Sequence, residues 1–494
     1  MKVTIAESIN KRNDKADVLI LPFVESKNGP LAICNIGSFS KIIEPPIKTK
    51  DFLGKEGQIS FVYFSKEKRI MLLGLGHPDK INPQQMAKFY SIACAALRNC
   101  KAESVNIVVP EKLNISKEDI VSSISEAFFL SNYNFDKFKH FEKNETPKYL
   151  KSICLIGLKK EDMKIVTKKK VISSAVNLAR DLVNNNADEE TPAHLAVAAK
   201  DLEKVSDKIK VRVFDKKKIE EEKMGLLLAV NKGSDKEPTF IVIEYKGDAS
   251  SKDHSVIIGK GITYDTGGLS LKPSTSMDTM KCDMSGAAAV LGTIYAISQL
   301  NLKKNVTALI PATENSIGSG SYKPGDVYTG MANKSVEVKN TDAEGRLILA
   351  DAISYAALKI KPNRVINIAT LTGACVVALG ENIAGFFSNS EEVAKRLEES
   401  SKRSGDIIWR MPLFKDYKKQ LKSDIADLKN IGDGREAGAI TAALFLEDFV
   451  NDIPWAHIDI AGPAFLSKPN GLHPTHATGI GVRLLVDFFE NLSN

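Results

Sequence analysis

Short runs of β-branched and apolar residues alternate with stretches of helical periodicity along most of this chain. In the second half these runs read TFIVIEY, SVIIGKG, NVTALIPA, RVINIATLTGA and WAHIDIAG, and helical stretches such as GAAAVLGTIYAISQL follow several of them. Strands that alternate with helices favour an α/β fold, in which helices pack on the faces of a sheet with parallel segments. In such sheets ligands bind at the carboxyl ends of the strands.

Length and a shift in composition predict two domains. A chain of 494 residues exceeds what one hydrophobic core usually serves. Short apolar runs such as ADVLILPFV, QISFVYF and RIMLLGLG also alternate with helices in the first part. The charge-dense segment KKEDMKIVTKKK (159–170) is interpreted as a connector before a helix, and Thr191-Pro192 as the start of another helix. We predict an α/β domain over 1–165, a linking helix and loop over 166–195, and a second α/β domain, with a mixed sheet flanked by helices, over 196–494.

Composition excludes several classes of protein. With 43% hydrophobic and 26% charged residues the chain is typical of a globular protein. No apolar run approaches the roughly 18 residues of a membrane span. The first residues, MKVTIAESINKRND, carry charges where a signal peptide has its apolar core. The six cysteines show no CxxC spacing, which argues against a disulfide framework or a zinc ribbon. We therefore expect a cytoplasmic protein without a membrane partner.

The net charge of +7 is concentrated in the first part of the chain, where residues 1–170 hold 29 Lys and Arg against 19 Asp and Glu. Such an excess is compatible with a nucleic-acid partner. The segment lacks interleaved aromatic residues and any recognition motif, so lysines that solvate an ordinary surface are the preferred interpretation.

The stretch KNTDAEGRLILADAISYAALK places Asp342, Glu344 and Arg346 two residues apart, just before an alanine-rich helix. If residues 340–346 are extended, these three side chains share one face. Charges next to a buried helix are costly unless something neutralises them. A local cluster of ion pairs is the alternative interpretation.

A second stretch, residues 257–290, carries Lys260, Asp265, Lys272 and Asp283 among glycines and small residues. Glycines allow the backbone to turn tightly and to approach a ligand closely. We interpret this stretch as a site loop rather than a linker.

Together the two stretches supply a dense group of carboxylates, which must either share protons or hold cations. Two divalent metals bridged by carboxylates, as in two-metal hydrolases, would remove the repulsion. Oxygen ligands suit Mn²⁺, Mg²⁺ or Zn²⁺, and the absence of a Cys or His cluster argues against a structural zinc. The signatures of nucleotide loops, serine hydrolases and one-zinc proteases are incomplete or absent. We expect His457 to be packed or hydrogen-bonded rather than a ligand.

The chain resembles the cytosolic leucyl aminopeptidase family from about residue 170 to 490. The motifs that carry the resemblance are GKGITYDTGGLSLKP (259–273), MKCDMSGAA (280–288), NTDAEGRL (340–347), ATLTGA (369–374) and AHIDIAG (456–462). The resemblance implies a metal-dependent aminopeptidase that removes the N-terminal residue of peptides, with leucine preferred within a broad range.

The resemblance also implies a ligand set for two Mn²⁺ or Zn²⁺ ions per subunit. Asp265, Asp342 and Glu344 would bind one metal, to which the main-chain carbonyl of Asp342 is also a ligand. Lys260, Asp265, Asp283 and Glu344 would bind the other. Lysine binds a metal only as the neutral amine, and two nearby cations depress its pKa.

Two further residues receive catalytic roles from the resemblance. Lys272 would stay protonated and stabilise the oxyanion that develops when an acidified water attacks the first peptide carbonyl. Arg346 would hold a bicarbonate ion that serves as general base. The free α-amine of the substrate would bind one metal, which explains why only the first residue is removed.

The resemblance further assigns a pocket for the N-terminal side chain, lined by Met280, Thr370, Gly373, Ala461 and Ala464. An apolar pocket of this kind discriminates weakly, because one methylene is worth only about 1–3 kcal/mol. Core packing is the alternative for these residues, above all for Ala461 and Ala464.

Family members form homohexamers whose active sites face an interior cavity, and we expect the same assembly here, with the N-terminal domain serving assembly or an accessory role. Two alternative functions stay open, which are a DNA-binding regulatory role of the same hexamer and a non-catalytic binding role of the same fold. The segment NNNADEETP lacks the proline pair that many relatives carry, but every proposed ligand position is matched.

Overall fold

A computed structural model describes residues 1–11, 16–63, 69–141 and 149–492, and the chain divides into two units. One unit comprises Met1–Ser174 with Pro469–Pro474, and the other comprises Ala175–Lys468 with Thr475–Asn494. Phe64, which ends the predicted strand QISFVYF, lies outside the described residues. None of the helices in the described ranges combines the length and the apolar character that a membrane crossing requires.

The first unit is built on a seven-stranded sheet in the order β1-β7-β6-β2-β5-β4, with β3 paired to β2. Its strands are β1 Lys2–Ala6, β2 Val18–Val24, β3 Leu31–Ala32, β4 Ile59–Tyr63, β5 Arg69–Gly74, β6 Ser104–Val108 and β7 Ser152–Ile156. Its helices include α1 Ser40–Lys48, α2 Pro83–Asn99 and α3 Lys117–Ser131. Neighbouring strands are parallel except for the pairs β4–β5 and β2–β3. Every residue of β2 is buried, as is typical of a parallel strand covered on both faces.

The helix α4, Met163–Asn184, begins three residues before the predicted linking segment 166–195, so the charge-dense stretch 159–170 is not a separate connector that precedes the helix. Val166 is buried, and Met163 and Ile165 pack against the core of the first unit. Lys169 forms an ion pair with Glu126. Four of the six lysines of this segment, Lys164 and Lys168–Lys170, therefore belong to a helix whose apolar residues are packed, whereas the sequence interpretation weighed only their charge.

The second unit contains a nine-stranded mixed sheet in the order β17-β16-β19-β15-β10-β12-β9-β8, with β11 paired to β12. Its strands are β8 Ile209–Phe214, β9 Thr239–Lys246, β10 His254–Gly259, β11 Gly261–Asp265, β12 Asn305–Asn315, β15 Arg364–Ala369, β16 Ala384–Ser388, β17 Ile408–Arg410 and β19 Trp455–Asp459. Short strands form two small sheets and are β13 Val327–Thr329, β14 Ser335–Glu337, β18 Leu428–Lys429, β20 Phe465–Leu466 and β21 His476–Ala477. The structure thus confirms the predicted α/β class with a mixed sheet.

Helices of very different burial accompany this sheet. They are α5 Pro192–Asp201, α6 Lys216–Glu221, α7 Gly225–Asn231, α8 Ser274–Met277, α9 Ser285–Gln299, α10 Gly345–Tyr355, α11 Gly373–Leu379, α12 Glu391–Ser404, α13 Gly438–Glu447 and α14 Val482–Glu490. Thr191 caps α5 as the sequence predicts, because its hydroxyl accepts a hydrogen bond from the amide of His194 at 3.3 Å. All eleven residues of α10 are buried, so Glu344, which immediately precedes this helix, is held at the interior of the unit.

Five parallel strands of the large sheet end on the same edge. The strands β11, β12, β10, β15 and β19 pair in parallel in that order. The polar residues at their carboxyl ends are Lys260, Asp265, Asn315, Thr370 and Asp459. This edge is where ligands bind in open α/β sheets.

Two glycines allow α9 to start directly against the sheet at this edge. A Cβ on Gly286 would lie 2.2 Å from the carbonyl oxygen of Ile368, and a Cβ on Gly259 would lie 2.4 Å from the carbonyl oxygen of Gly286. No larger residue fits either position without moving the backbone. The close approach places the segment before α9, which contains Asp283, next to Lys260.

Candidate metal centre

Three carboxylates from two distant segments meet at the carboxyl edge of the large sheet. Asp265, Asp342 and Glu344 each offer one oxygen, and these oxygens all lie within 4.8 Å of one another. Asp265 is 2% exposed and Glu344 is 1% exposed, whereas the side chain of Asp342 is 33% exposed. Asp265 ends β11, and Glu344 immediately precedes α10. The cluster is therefore anchored in the core and open on the side of Asp342.

Residues 340–346 are not extended, so that prediction is wrong. Thr341 and Asp342 form a turn, and Gly345 and Arg346 begin α10. The amide of Asp342 donates a hydrogen bond to the side chain of Asn340 at 2.8 Å, which stabilises the turn. The carboxylates of Asp342 and Glu344 still converge, because the turn brings them together.

Lys260 and Asp283 extend the cluster on the buried side. The ammonium Nζ of Lys260 lies 2.8 Å from each carboxylate oxygen of Asp283 and 2.8 Å from Oε1 of Glu344. It also donates to the carbonyl oxygen of Thr370 at 2.9 Å. The hydroxyl of Thr370 donates to Oδ1 of Asp283 at 2.7 Å. Lys260 and Asp283 are 3% and 4% exposed, so this ion pair is shielded from solvent.

Lys272 lies on the other side of the cluster. Its Nζ is 2.9 Å from Oδ2 of Asp265 and 2.5 Å from Oδ1 of Asp342. Asp265 also accepts hydrogen bonds at Oδ1 from the amide of Gly267 and from the side chain of Asn315, both at 2.8 Å. Each proposed ligand is thus held in place by neighbouring groups.

Burial, and after it the charges of neighbouring groups, shifts the pKa values of the clustered carboxylates. Burial, with the charges of Glu344 and Asp283, raises the pKa of Asp265 to about 7. Burial, with the charges of Glu344 and Asp265, raises the pKa of Asp342 to about 6. Burial also raises the pKa of Asp283. For Glu344 burial acts in the same direction, but the ammonium groups of Lys260 and Lys272 outweigh it and lower the pKa.

For the two lysines burial acts in the opposite direction, because it disfavours the charged ammonium, but the neighbouring carboxylates outweigh it. Burial alone would lower the pKa of Lys260, but the carboxylates of Asp283 and Glu344 outweigh it and raise the pKa. Lys272 behaves likewise beside Asp265. The two ammonium groups therefore supply the positive charge that balances the carboxylates.

This donor set fits divalent cations. Oε2 of Glu344 is buried and has no hydrogen-bond partner among the described residues, and such an atom normally has one. Carboxylate oxygens are ligands that Mn²⁺, Mg²⁺ and Zn²⁺ accept. The residues that would hold the cations are Asp265, Asp283, Asp342 and Glu344, together with Lys260 once nearby cations have displaced its proton.

Arg346 lies in the first turn of α10 and is 6% exposed. Its Nη1 donates a hydrogen bond to the carbonyl oxygen of Asn430 at 2.9 Å. Its Nε is buried without a partner among the described residues. Burial lowers the pKa of Arg346 to about 10, against the acidic groups of Glu344, Asp459 and Asp342. A buried guanidinium with an unused donor next to the carboxylates is suited to hold an anion.

Thr341 and Asn315 join the two segments, and sequence reasoning missed both. The hydroxyl of Thr341 donates to the carbonyl oxygen of Gly267 at 2.6 Å and accepts from the amide of Ser270 at 2.8 Å. Nδ2 of Asn315 donates to both Asp265 and the carbonyl oxygen of Thr341. Thr341 lies inside the motif NTDAEGRL, which was an available signal, whereas Asn315 lies three residues beyond the predicted run NVTALIPA and ends β12 only in the structure.

Asp459 connects two of the segments predicted to line the side-chain pocket. Its Oδ1 accepts hydrogen bonds from the amides of Leu371 at 3.0 Å and Ala461 at 3.2 Å, and its Oδ2 accepts from the hydroxyl of Thr372 at 2.7 Å. The residue before Leu371 is Thr370, which contacts both Asp283 and Lys260. Thr370 and Ala461 therefore lie on connected segments beside the carboxylates.

The other proposed pocket residues differ in exposure. Met280 begins the short 3-10 helix Met280–Met284, which carries Asp283, and it is partly exposed. Gly373 begins α11 and is exposed, and a Cβ added there would meet nothing within 4 Å. Ala464 is 2% exposed, and its carbonyl oxygen accepts from the amide of Thr478. Its burial at this site agrees with packing, the alternative that the sequence left open.

His457 is fully buried, and its Nδ1 lies 2.7 Å from the side-chain nitrogen of Asn367. Its ring stacks against Phe387 and Trp455. Burial lowers its pKa to about 3. The structure confirms the expectation of a packed, hydrogen-bonded histidine.

Comparison with known protein families gives two matches within this chain. Residues 177–486 match the family model described as the catalytic domain of the cytosol aminopeptidase family. Residues 22–141 match the model described as the N-terminal domain of the same family.

Individual proteins give the same result over nearly the full length. The chain is 46% identical to the "Probable cytosol aminopeptidase" of Protochlamydia amoebophila, with 100% of this chain and 99% of the relative covered. It is 47% identical to the protein of the same name from Chlamydia abortus, with 96% of each covered. Among solved structures it is similar to "Bottromycin maturation enzyme BotP", alone and in complex with Mn, with a TM-score of 0.85 and 28% identity over 96% of this chain and 99% of that one.

Proposed function

Because this chain belongs to the cytosol aminopeptidase family and is therefore a metal-dependent aminopeptidase, we propose that it releases N-terminal residues, leucine foremost, by means of two divalent cations. Mn²⁺ and Zn²⁺ are the proposed ions, and Mn²⁺ accompanies one similar solved structure. The proposed location is the cytoplasm, in keeping with the names of the relatives.

The observation that carries the two-cation proposal is the shape of the carboxylate cluster. Asp265 and Glu344 occupy its centre, with Asp342 and Lys272 on one side and Asp283 and Lys260 on the other. Two groups of ligands that share the central carboxylates suit a pair of cations. When bound, the cations supply Lewis acidity and make a water more acidic.

Lys272 is proposed to stabilise charge that develops on the substrate. Its ammonium is held by Asp265 and Asp342 at the more exposed side of the cluster. A fixed donor of this kind favours a developing oxyanion over the neutral carbonyl oxygen of the bound peptide. Lys260 is far more buried and paired with Asp283, so we assign it to the cations rather than to the substrate.

Arg346 is proposed to hold bicarbonate, and substitution tests this role. Arg346→Ala should lower the rate of hydrolysis by about 10²-fold, the lower range for loss of a general base. The remaining rate should then increase with added bicarbonate, because the weakened anion site is no longer saturated. The measurement is initial rate against bicarbonate concentration for both proteins, in buffer freed of carbon dioxide. Wild-type rates in the variant, with no bicarbonate response, would remove the assignment.

The requirement for a free amino terminus tests the proposed reaction itself. We expect the chain to hydrolyse leucine p-nitroanilide faster than alanine p-nitroanilide, because a larger side chain buries more apolar area in the proposed pocket. N-acetyl-leucine p-nitroanilide should be inert, because acetylation removes the basic amine that would bind a cation. Equal hydrolysis of the free and acetylated substrates would contradict the aminopeptidase mechanism.

The oligomeric state that we propose for this chain rests on its membership of the family. We propose a homohexamer with the active sites facing an interior cavity, in which the predicted domain 1–165 serves assembly. The linking segment 166–195 and the domain 196–494 complete the proposed organisation. Light scattering should give six times the mass of one chain, and a monomer mass would contradict the proposal.

A further inference from the structure

One asparagine, Asn430, is distant in sequence from the segment 339–346 and forms hydrogen bonds with it. That segment carries three of the proposed site residues, Asp342, Glu344 and Arg346. Asn430 is completely buried and directly follows β18. Its own amide donates to the carbonyl oxygen of Glu337 at 3.0 Å, which continues the pairing of β18 with β14. The backbone of Asn430 is therefore held by the small sheet that contains β14 and β18, independently of the contacts of its side chain.

The side chain of Asn430 forms hydrogen bonds with both amide and carbonyl groups of the segment 339–346. Its Oδ1 accepts from the amides of Lys339 at 2.8 Å and Asn340 at 3.3 Å. Its Nδ2 donates to the carbonyl oxygens of Asn340 at 2.7 Å and Ala343 at 3.4 Å. These bonds enclose the turn that presents Asp342, and Ala343 directly precedes Glu344.

The main chain of Asn430 contacts the end of the same segment. Its carbonyl oxygen accepts the hydrogen bond from Nη1 of Arg346 at 2.9 Å. A single residue thus contacts the segment 339–346 near its start, in its middle and at its end. A carboxylate cluster of this density repels itself, so the segment needs a partner to hold its oxygens together.

We propose that Asn430 is a positioning residue that holds the segment 339–346 in the conformation that binds cations. This inference rests on the proposed function, because it takes Asp342 and Glu344 as cation ligands. The hydrogen bonds of Asn430 described above go to backbone groups and to the guanidinium of Arg346 rather than to the carboxylates of the cluster. Groups that orient metal ligands contribute to affinity although they do not bind the metal.

A matched control lies at the opposite end of β12. Asn305 makes the same kind of contacts, with Nδ2 donating to the carbonyl oxygens of Asp248 at 2.7 Å and Ser251 at 3.0 Å, and Oδ1 accepting from the amide of Asp248 at 3.1 Å. It is separated from Asn315, which contacts Asp265, by ten residues of extended strand or about 33 Å. Asn305→Ala therefore removes a similar clamp far from the cluster.

The test is calorimetric titration of the chelator-stripped, full-length chain with Mn²⁺. Asn430→Ala should weaken Mn²⁺ binding by about 10- to 100-fold, the range for groups that orient ligands. Asn305→Ala should keep the wild-type affinity, even if its melting temperature without metal falls. Wild-type affinity in folded Asn430→Ala would overturn the inference, whatever happens to its melting temperature.

Two further outcomes of this experiment concern a variant that does not fold and a wild-type chain that binds no metal. If Asn430→Ala does not fold, Asn430→Ser is titrated in its place, and wild-type affinity in that variant would overturn the inference. If the wild-type chain binds Zn²⁺ but not Mn²⁺, the same variants are titrated with Zn²⁺ and judged in the same way. If it binds neither ion, the proposed function fails and the inference fails with it. Normal binding by the wild type and by Asn430→Ala would remove only the role of Asn430.

Discussion

Glu344→Gln should abolish aminopeptidase activity while leaving the protein folded. Glutamine has the size of glutamate and retains an oxygen for Lys260, which also keeps its contacts with Asp283 and the carbonyl oxygen of Thr370. The variant loses the charge that both proposed cations share. A metal contributes several kcal/mol to stabilising transition-state charge, so we expect a rate at least about 10³-fold lower. The measurements are hydrolysis of leucine p-nitroanilide and calorimetric titration with Mn²⁺.

Lys272→Gln is the matched control for this experiment. It removes one charge from the same cluster but none of the proposed ligands. We expect it to lose about 10²- to 10³-fold in rate, as for the loss of an oxyanion donor, and to retain Mn²⁺ binding. Glu344→Gln that retains both activity and Mn²⁺ affinity would contradict the central role of Glu344.

Five of the nine strands of the large sheet, β9, β10, β12, β15 and β19, were predictable because buried strands favour continuous apolar runs. The strands β8, β16 and β17 were not predicted, and β11 lies in the stretch interpreted as a site loop. SVIIGKG covers all of β10 except His254, WAHIDIAG contains β19, and polar residues of the site lie near the ends of these runs. An apolar run of this kind predicts a strand, but it does not predict which other strands pair with it. The antiparallel pairing of β16 with β19 depends on contacts between residues about 70 positions apart, which a local pattern does not contain.

The segment around Asp342 shows how a sequence identifies residues but not their conformation. Spacing by two suggested an extended strand, whereas the chain turns at Thr341 and begins a helix at Gly345. Asparagine and aspartate favour turns by bonding to nearby backbone, and Asn340 does so here. The hydrogen bond of Asn340 therefore stabilises a turn where the spacing by two had predicted a strand. The carboxylates of Asp342 and Glu344 nevertheless converge, as the prediction required.

The groups that hold the cluster were the least predictable part of the site. Asn430 is 84 residues from Arg346, and Asp459 is 87 residues from Thr372. Asp459 lies inside the motif AHIDIAG, but the motif does not say which groups it contacts, and Asn430 bears no pattern that distinguishes it from an ordinary loop asparagine. Their contacts follow from the sheet order, which brings distant segments to one edge.

Removal of divalent cations is expected to have an effect as large as that of Glu344→Gln. Without cations Lys272 is the ammonium group that pairs with Asp265 and Asp342, and burial together with the repulsion of the neighbouring carboxylates keeps the pKa values of both groups raised. The ammonium groups balance charge but supply neither Lewis acidity nor an acidified water. A stripped protein should therefore be folded and inactive, and cations should restore the rate.

The measurement that tests this account most directly is hydrolysis of leucine p-nitroanilide by chelator-stripped protein titrated with Mn²⁺ and, separately, with Zn²⁺. The account predicts that activity disappears on stripping and returns as about two ions bind per chain, the number that the shared carboxylates suit. Full activity in stripped protein, or no activity in folded protein loaded with either metal, would contradict it.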